Sequence, residues 1–247
     1  NIGGGGFLVY RPVVGPPVAY DFRETAPERA SSRMFMRAGE YDPVLHHRSH
    51  LAVGVPGTVA GLYLAWSEHG SLPWRTLVEP GVRLAREGFT VSAALASSLA
   101  SVLPSMAPYP ASVAQFSKRG GPYQAGETFR QLALARTLER IAEQGPAGFY
   151  EGETADLIVR DMEANGGLIT YADLEAYRAQ RRSALVGTYR GYEIVSMPPV
   201  SSGGTPLFRC STFSKATTWL RLGRGRQRRR ICSSRRCDEP MPIGPDT

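Results

Sequence analysis

Apolar and polar residues near the start of the chain follow the pattern of short strands. Residues 7–10 and 18–22 are rich in aromatic and branched side chains, which favour extended backbone. Gly15, Pro16 and Pro17 lie between these runs and are a turn signal. The arrangement predicts a β-hairpin.

The pattern is irregular over residues 31–55, which predicts a loop, and mostly helical over residues 56–166. One helix is predicted around Val59 and ends near Gly70, and another ends at Gly88.

A third helix has the clearest apolar stripe. Thr128 precedes Gln131 by three residues, so the pair predicts a capping box at the helix start, and Gly145 predicts its end. The predicted buried stripe consists of Leu132, Leu134, Ala135, Leu138, Ile141 and Ala142.

Further elements follow towards residue 200. Residues 153–165 predict a helix, and Thr170 with Asp173 predicts a second capping arrangement before a short helix. Residues 184–197 favour strands around a turn at Arg190. Strands therefore flank a helical block, which predicts a mixed α/β or α+β domain.

Charge divides the chain in two. The formal net charge is +7, but ten of the 29 basic residues and only three of the 22 acidic ones lie in residues 209–247. Residues 1–208 thus carry 19 charges of each sign and contain none of the three cysteines. The tail alone predicts a disordered basic segment. No apolar run is long enough for a membrane helix.

Several strings in residues 1–208 resemble one family when they are taken together and in order. They are GGGGF at residues 3–7, DFRETAP at 21–27, PGTVAG at 56–61, GGLIT at 166–170 with Asp173-Leu174, YRGY at 189–192, and SMPP with SSGG at 196–204. This ordered set closely resembles the large subunit of the γ-glutamyltransferase (γ-glutamyltranspeptidase, glutathione hydrolase) family. The resemblance predicts that residues 1–208 are a partial large subunit.

The resemblance implies a fold and a chemistry. The expected fold is α+β, the Ntn-hydrolase αββα sandwich, of which this chain would hold the large-subunit portion only. The precursor is expected to cut itself, and the new N-terminal Thr of the small subunit to attack the γ-glutamyl carbonyl of glutathione or another γ-glutamyl substrate. That Thr is absent from this chain, so the chain alone is expected to be inactive. No metal or organic cofactor is implied, and intact bacterial-type relatives are often periplasmic or secreted.

Arg23 is the residue that the resemblance assigns to substrate binding. It matches the family Arg that pairs with the α-carboxylate of the γ-glutamyl group, a task that suits the planar, permanently charged guanidinium. From composition alone, an ion pair with Asp21 or Glu24 is the simpler interpretation.

Three other clusters carry weaker signals. The glycines of residues 3–6 lack the Gly-Lys-Ser/Thr of a phosphate loop, so close backbone packing or a turn is predicted. His46, His47 and His50 fit no standard metal-ligand spacing and predict a solvated loop. Residues 201–204 lack the G-x-S-x-G pattern and a paired His, and predict a structural loop.

Two other functions compete with the γ-glutamyltransferase interpretation. A cephalosporin-acylase-like amidase shares the fold and many large-subunit strings, and Arg23 favours a γ-glutamyl substrate without settling the choice. A nucleic-acid-binding protein would use the basic tail, but aromatic residues are not interleaved with its arginines apart from nearby Trp219.

The sequence of residues 209–247 is consistent with a shifted reading frame. If residues 207–211 are encoded CTG TTC AGA TGC TC, one added C after TTC gives LFQML. Suitable codons for residues 211–222 and 230–247 then give NILEGYDLASLG and HLLIEAMRRAYADRARY, which resemble the family's continuation. The hypothesis is that one base is missing near the codon for Arg209, so that residues 209–247 are out of frame.

Sequencing the coding DNA from the codon for Ser201 to well past Thr247 tests this hypothesis. We expect one missing base and, in the restored frame, a family-like continuation that reaches a Thr nucleophile. A confirmed tail followed by a stop codon, with no family-like alternative frame, would overturn it.

Overall fold

A three-stranded antiparallel sheet contains the predicted hairpin. The computed structural model describes residues 2–206. In it, β1 (Phe7–Tyr10) and β2 (Val18–Asp21) pair antiparallel, and β7 (Gln180–Ser183) pairs antiparallel with the other side of β2. All four residues of the central strand β2 are buried. The prediction of an out-of-frame tail at residues 209–247 lies outside the described residues.

Three two-stranded antiparallel sheets complete the strands of the described range. They are β3 (Met36–Arg37) with β4 (Glu40–Tyr41), β5 (Phe89–Thr90) with β6 (Thr128–Phe129), and β8 (Leu185–Tyr189) with β9 (Tyr192–Ser196). The last hairpin confirms the strands and the turn predicted for residues 184–197; Arg190 at this turn has a φ of 49°.

Helices occupy most of the chain between β4 and β7. They are α1 (Pro43–Arg48), α2 (Thr58–His69), α3 (Trp74–Glu87), α4 (Ala93–Met106), α5 (Pro110–Phe116), α6 (Leu132–Gln144), α7 (Ala147–Tyr150), α8 (Gly152–Asn165) and α9 (Tyr171–Ala176). A 3-10 turn, His50–Ala52, follows α1. None of the helices in residues 2–206 combines the length and the apolar character that a bilayer crossing needs.

The predicted capping box at Thr128 is wrong. Thr128 lies in β6, where it pairs with Thr90, and α6 begins at Leu132 without a side-chain cap. The N–H of Gln131 donates instead to the carbonyl oxygen of Ala85 in α3, at 2.8 Å. A β-branched residue next to an aromatic one is compatible with a strand, and the pairing with β5 decides the segment.

The predicted loop at residues 31–55 is also partly wrong. It contains the β3–β4 hairpin, α1 and the 3-10 turn. Helix α1 has no buried residue, so an apolar period could not reveal it. Its start is set by Asp42, whose side chain accepts hydrogen bonds from the N–H groups of Val44 and Leu45, with Pro43 as the first helical residue.

Two apolar clusters hold the described part together. The larger one joins α2, α6, α7, α8 and α9 through Val55, Val59, Ile141, Phe149, Tyr150, Ala155, Val159, Met162, Ile169, Leu174 and Tyr177. In the smaller one, Val18, Tyr20 and Phe22 pack with partly buried residues of α2, which places that helix against the sheet. Ala179 is partly buried against both clusters.

Phe22 reaches α2 because Gly61 has no side chain. A Cβ at Gly61 would lie 2.0 Å from Cγ of Phe22. At Gly81, in α3, the nearest atom to such a Cβ is Cδ1 of Leu138 at 3.6 Å, which is an ordinary contact.

We predict opposite effects of alanine at these two helical glycines. Gly61→Ala should lower the free energy of unfolding by about 1–3 kcal/mol because Phe22 has to move. Gly81→Ala should raise it by about 0.5–1 kcal/mol because Ala favours a helix. Urea unfolding of the full chain, followed by circular dichroism, checks both variants. Equal effects of the two substitutions would contradict the packing at Phe22.

Candidate functional site

An open cavity of about 410 Å³ lies beside the residues that follow β2. Arg23 lies at this cavity, and its side chain is exposed. The walls come from the start of the chain, the residues after β2 and the loop before α2, and consist of Gly3, Arg23, Glu24, Thr25, Ala26, Ala52, Val53 and Gly54. We call residues 21–28 the Arg23 segment.

Two side chains hold the backbone of Arg23. Its N–H donates to Oδ1 of Asp21 at 3.2 Å, and its carbonyl oxygen accepts from the hydroxyl of Tyr177 at 2.8 Å. Tyr177 lies directly after α9, 154 residues further along the chain. Both polar groups of this peptide backbone therefore have a partner.

The guanidinium of Arg23 has no carboxylate partner within residues 2–206. The ion pair with Asp21 that composition favours does not form, because Nε of Arg182 in β7 binds Oδ2 of Asp21 at 2.8 Å. Asp21 is 8% exposed, and its buried negative charge is neutralised by Arg182. Glu24 makes no ion pair with Arg23 either, which leaves the fork of Arg23 open to the cavity.

Backbone pairing fixes the Arg23 segment on both sides of Arg23. Phe22 and Gly6 exchange hydrogen bonds at 3.0 and 3.2 Å, which extends the β1–β2 ladder by one pair. Thr25 and Val55 exchange hydrogen bonds at 2.8 and 3.3 Å. Arg23 and Glu24 thus lie between two paired positions.

Three glycines let two other segments, the start of the chain and the loop before α2, approach the Arg23 segment. A Cβ at Gly5 would lie 2.4 Å from the carbonyl oxygen of Phe22, and one at Gly57 would lie 2.2 Å from the same atom. A Cβ at Gly54 would lie 2.9 Å from Cβ of Glu24. The close backbone packing predicted for the glycine run at residues 3–6 is confirmed, and the PGTVAG string has the same role.

The far end of the Arg23 segment is held by the capped start of α9. Thr170 and Asp173 form the predicted capping box, and Oδ1 of Asp173 also accepts from the N–H of Glu28 at 2.7 Å. Burial raises the pKa of Asp173, but the hydrogen bonds from Glu28 and Thr170 and the charge of Arg29 outweigh it, so the pKa is lowered. The carboxylate therefore stays charged at neutral pH.

Tyr177 is held in place as a hydrogen-bond donor. Its ring stacks on that of Tyr150 with a 2° angle between the planes and 5.8 Å between centroids. Burial, followed by the negative charges of Asp21 and Glu24, raises the pKa of Tyr177 to about 12. The hydroxyl is thus protonated at physiological pH and remains able to donate to Arg23.

The histidines lie away from this cavity. Nε2 of His50 is 3.2 Å from Oδ2 of Asp161 on α8, whereas His46 and His47 stack on each other in α1 near Tyr41. No group of three or more potential metal ligands occurs in residues 2–206.

The SSGG string after β9 also lies apart from the residues that line the cavity. The hydroxyl oxygen of Ser201 accepts from the N–H of Gly203 at 3.3 Å, as in a local turn. A Cβ at Gly204 would lie 2.6 Å from the carbonyl oxygen of Met197, so this glycine allows a close approach. These contacts support the structural role predicted for the loop.

Sequence reasoning missed two residues of the site. The sequence predicts Asp173 only as part of a helix cap and gives no role to Tyr177. A cap that binds a second backbone N–H has no sequence signature, since its partner, Glu28, is 145 residues away.

Sequence comparison places these features in a known family. The sequence profile of the family described as "Gamma-glutamyltranspeptidase" matches residues 1–218. The glutathione hydrolase proenzyme of Escherichia coli (strain K12) is 47% identical over 209 residues, which are 83% of this chain and 36% of that protein. The chain therefore spans about a third of the length of this curated relative.

Comparison with solved structures agrees with this family membership. The crystal structure of Helicobacter pylori gamma-glutamyltranspeptidase matches with a TM-score of 0.86 and 41% identity, over 92% of this chain and 65% of that one. A cephalosporin acylase from Bacillus halodurans matches with a TM-score of 0.69 and 26% identity, over 80% of this chain and 38% of that one. The chain thus shares a mixed α+β, Ntn-hydrolase fold with both over part of their length.

The lowered pKa of Asp173 gives a prediction for stability against pH. Because the folded pKa lies below the unfolded one, the stabilisation is full above the unfolded pKa of about 3.9 and is lost as the pH falls through the folded pKa. Asp173→Asn should cost about 1–2 kcal/mol of unfolding free energy at pH 7, as lost caps do, and progressively less below pH ~4.

Urea unfolding of the full chain at pH 7 and at pH 3 measures this difference. The control is Glu163→Gln, which changes an exposed carboxylate on α8. A gap between wild type and Asp173→Asn that does not change with pH would contradict the assignment of the charge.

Proposed function

The chain belongs to the gamma-glutamyltranspeptidase family, and from this premise we propose that it is a large-subunit portion of a γ-glutamyltransferase that cleaves glutathione or related γ-glutamyl amides. Arg23 binds the α-carboxylate of the γ-glutamyl group. The observation that carries the proposal is the solvent-facing guanidinium of Arg23, which has no carboxylate partner in residues 2–206 although its backbone is held on both sides.

The arrangement suits carboxylate recognition. A guanidinium offers two parallel N–H donors to the two oxygens of a carboxylate, and its charge does not depend on pH in the physiological range. Asp21, the nearest buried acid along the chain, is already paired with Arg182 and does not compete for Arg23. A substrate carboxylate can therefore take the position that an internal acid takes in an ordinary ion pair.

The bond-breaking step belongs to the longer protein. The side-chain oxygen of a Thr at the start of the small subunit attacks the γ-carbonyl carbon, with the free α-amine of that Thr as base. The amide C–N bond breaks, the amine leaves with a proton, and the γ-glutamyl ester passes to water or to the amine of an acceptor. The two subunits together form the αββα sandwich, to which β1, β2 and β7 contribute strands.

A second candidate is a cephalosporin-acylase-like amidase, supported by the similarity to the Bacillus halodurans cephalosporin acylase; a glutaryl amide is the test substrate chosen for it. A glutaryl group carries the same carboxylate as a γ-glutamyl group but lacks the α-amine. Arg23 serves both substrates equally, so the preference between them must be measured.

The test uses the enzyme assembled from the full-length precursor that contains this sequence. We expect hydrolysis of γ-glutamyl-p-nitroanilide to exceed that of glutaryl-p-nitroanilide. Arg23→Gln should raise KM for the γ-glutamyl substrate by about 10- to 150-fold, as expected for loss of a charged hydrogen bond of about 1.5–3 kcal/mol, with a smaller effect on kcat. Arg23→Lys should lie between, because it keeps the charge and loses the fork.

The control is Arg136→Gln, which removes another exposed arginine, on α6. An active wild type whose KM is unchanged by Arg23→Gln would remove Arg23 from the site. Preference for the glutaryl substrate would establish the acylase instead, and activity towards neither substrate would refute both.

A further inference from the structure

Arg23 occupies a gap between two paired stretches of backbone. The β1–β2 ladder ends with the pairing of Phe22 and Gly6, and pairing resumes at Thr25 with Val55. At Arg23 the backbone bonds go to side chains instead, to Asp21 from the N–H and to Tyr177 from the carbonyl oxygen. Since Asp21 is two residues away on the same strand, Tyr177 is the long-range link at this point.

We infer that Tyr177 is a positioning residue for substrate binding. Its hydroxyl sets the orientation of the Arg23 peptide, and through it the direction in which the guanidinium meets the substrate carboxylate. This inference rests on the proposed function and extends it to a residue that does not line the cavity.

The surroundings of Tyr177 leave its hydroxyl little freedom. The ring lies in the larger apolar cluster, stacked on Tyr150, and is 7% exposed. A Cβ at Gly57 would lie 2.0 Å from the Tyr177 hydroxyl oxygen, so the absence of a side chain at Gly57 makes the space in which the hydroxyl reaches Arg23. Gly57 thus makes room both for the carbonyl oxygen of Phe22 and for the Tyr177 hydroxyl, which binds the next carbonyl along the chain, that of Arg23.

Tyr150 offers a matched control. It is also a buried tyrosine of the larger cluster, and its hydroxyl donates to the carbonyl oxygen of Pro56 at 2.8 Å rather than to Arg23. Tyr177→Phe and Tyr150→Phe therefore remove the same atom from the same cluster, but only the first removes a contact with Arg23.

Kinetics of the assembled enzyme give the first readout. Tyr177→Phe should raise KM for γ-glutamyl-p-nitroanilide by about 3- to 10-fold, as one neutral hydrogen bond can, and leave kcat within about twofold. Tyr150→Phe should leave KM near the wild-type value. In an Arg23→Gln background, Tyr177→Phe should have no further effect on KM, because a residue that acts through Arg23 cannot act without it.

Amide hydrogen exchange of the full 247-residue chain gives a second readout that needs no activity. The peptide that covers residues 21–28 should exchange faster in Tyr177→Phe than in wild type, and at the wild-type rate in Tyr150→Phe. Unchanged exchange in Tyr177→Phe, an unchanged KM, or a KM effect that persists without Arg23 would each overturn the inference. An inactive wild-type enzyme would instead refute the proposed function, while the exchange result would still decide whether Tyr177 fixes the segment.

Discussion

The backbone of residues 22–24 lies so close to neighbouring chain segments that side chains are excluded around it. Gly5 and Gly57 approach the carbonyl oxygen of Phe22 from two directions, and Gly61 receives the ring of Phe22. A Cβ at any of these three glycines would come within 2.4 Å of an atom of Phe22, which no real contact tolerates. Three of the strings that resemble the family, GGGGF, DFRETAP and PGTVAG, therefore converge on one physical requirement, a tightly enclosed backbone at the end of β2.

This enclosure has an electrostatic consequence. The enclosed backbone of Arg23 makes its hydrogen bonds within the protein. The buried negative charge of Asp21 is likewise neutralised within the protein, by Arg182 of β7. Arg23 is left as a cation whose backbone is anchored and whose side chain is not. Because the backbone of Arg23 is already ordered before the ligand arrives, only the side chain loses conformational entropy on binding, and this partial preorganisation favours affinity.

Local signals predicted much of the fold, and contacts between distant segments account for the rest. The β1–β2 hairpin, the helices ending at Gly70 and Gly88, the Thr170–Asp173 capping box and the β8–β9 hairpin follow from period and turn residues and are confirmed. Thr128 failed because a two-residue strand and a cap use the same residue type, and only the pairing with β5 decides between them. Helix α1 is not predicted because a helix without a buried face has no apolar period.

The candidate site likewise contains a residue that the sequence predicts and residues that only contacts between distant segments reveal. The resemblance predicts Arg23 as a substrate-binding residue. Composition alone favours an ion pair between Arg23 and Asp21, but Arg182, 161 residues from Asp21 along the chain, forms the ion pair with Asp21 instead. Tyr177 and Asp173 reach the Arg23 segment from 154 and 145 residues away, a distance over which a single sequence carries no signal.

The proposed function separates the role of Arg23 from that of a nucleophile on another subunit, and this separation predicts how the site responds to substitution. A contact between Arg23 and the α-carboxylate is far from the bond that breaks and is present equally before and during the reaction, so it contributes uniform binding and acts on KM. Residues that orient Arg23 should also act on KM, because they change the geometry of the same contact. Under the proposed function, the enclosed backbone at the end of β2 controls affinity for the γ-glutamyl group, whereas the rate of bond cleavage depends on geometry at the nucleophile.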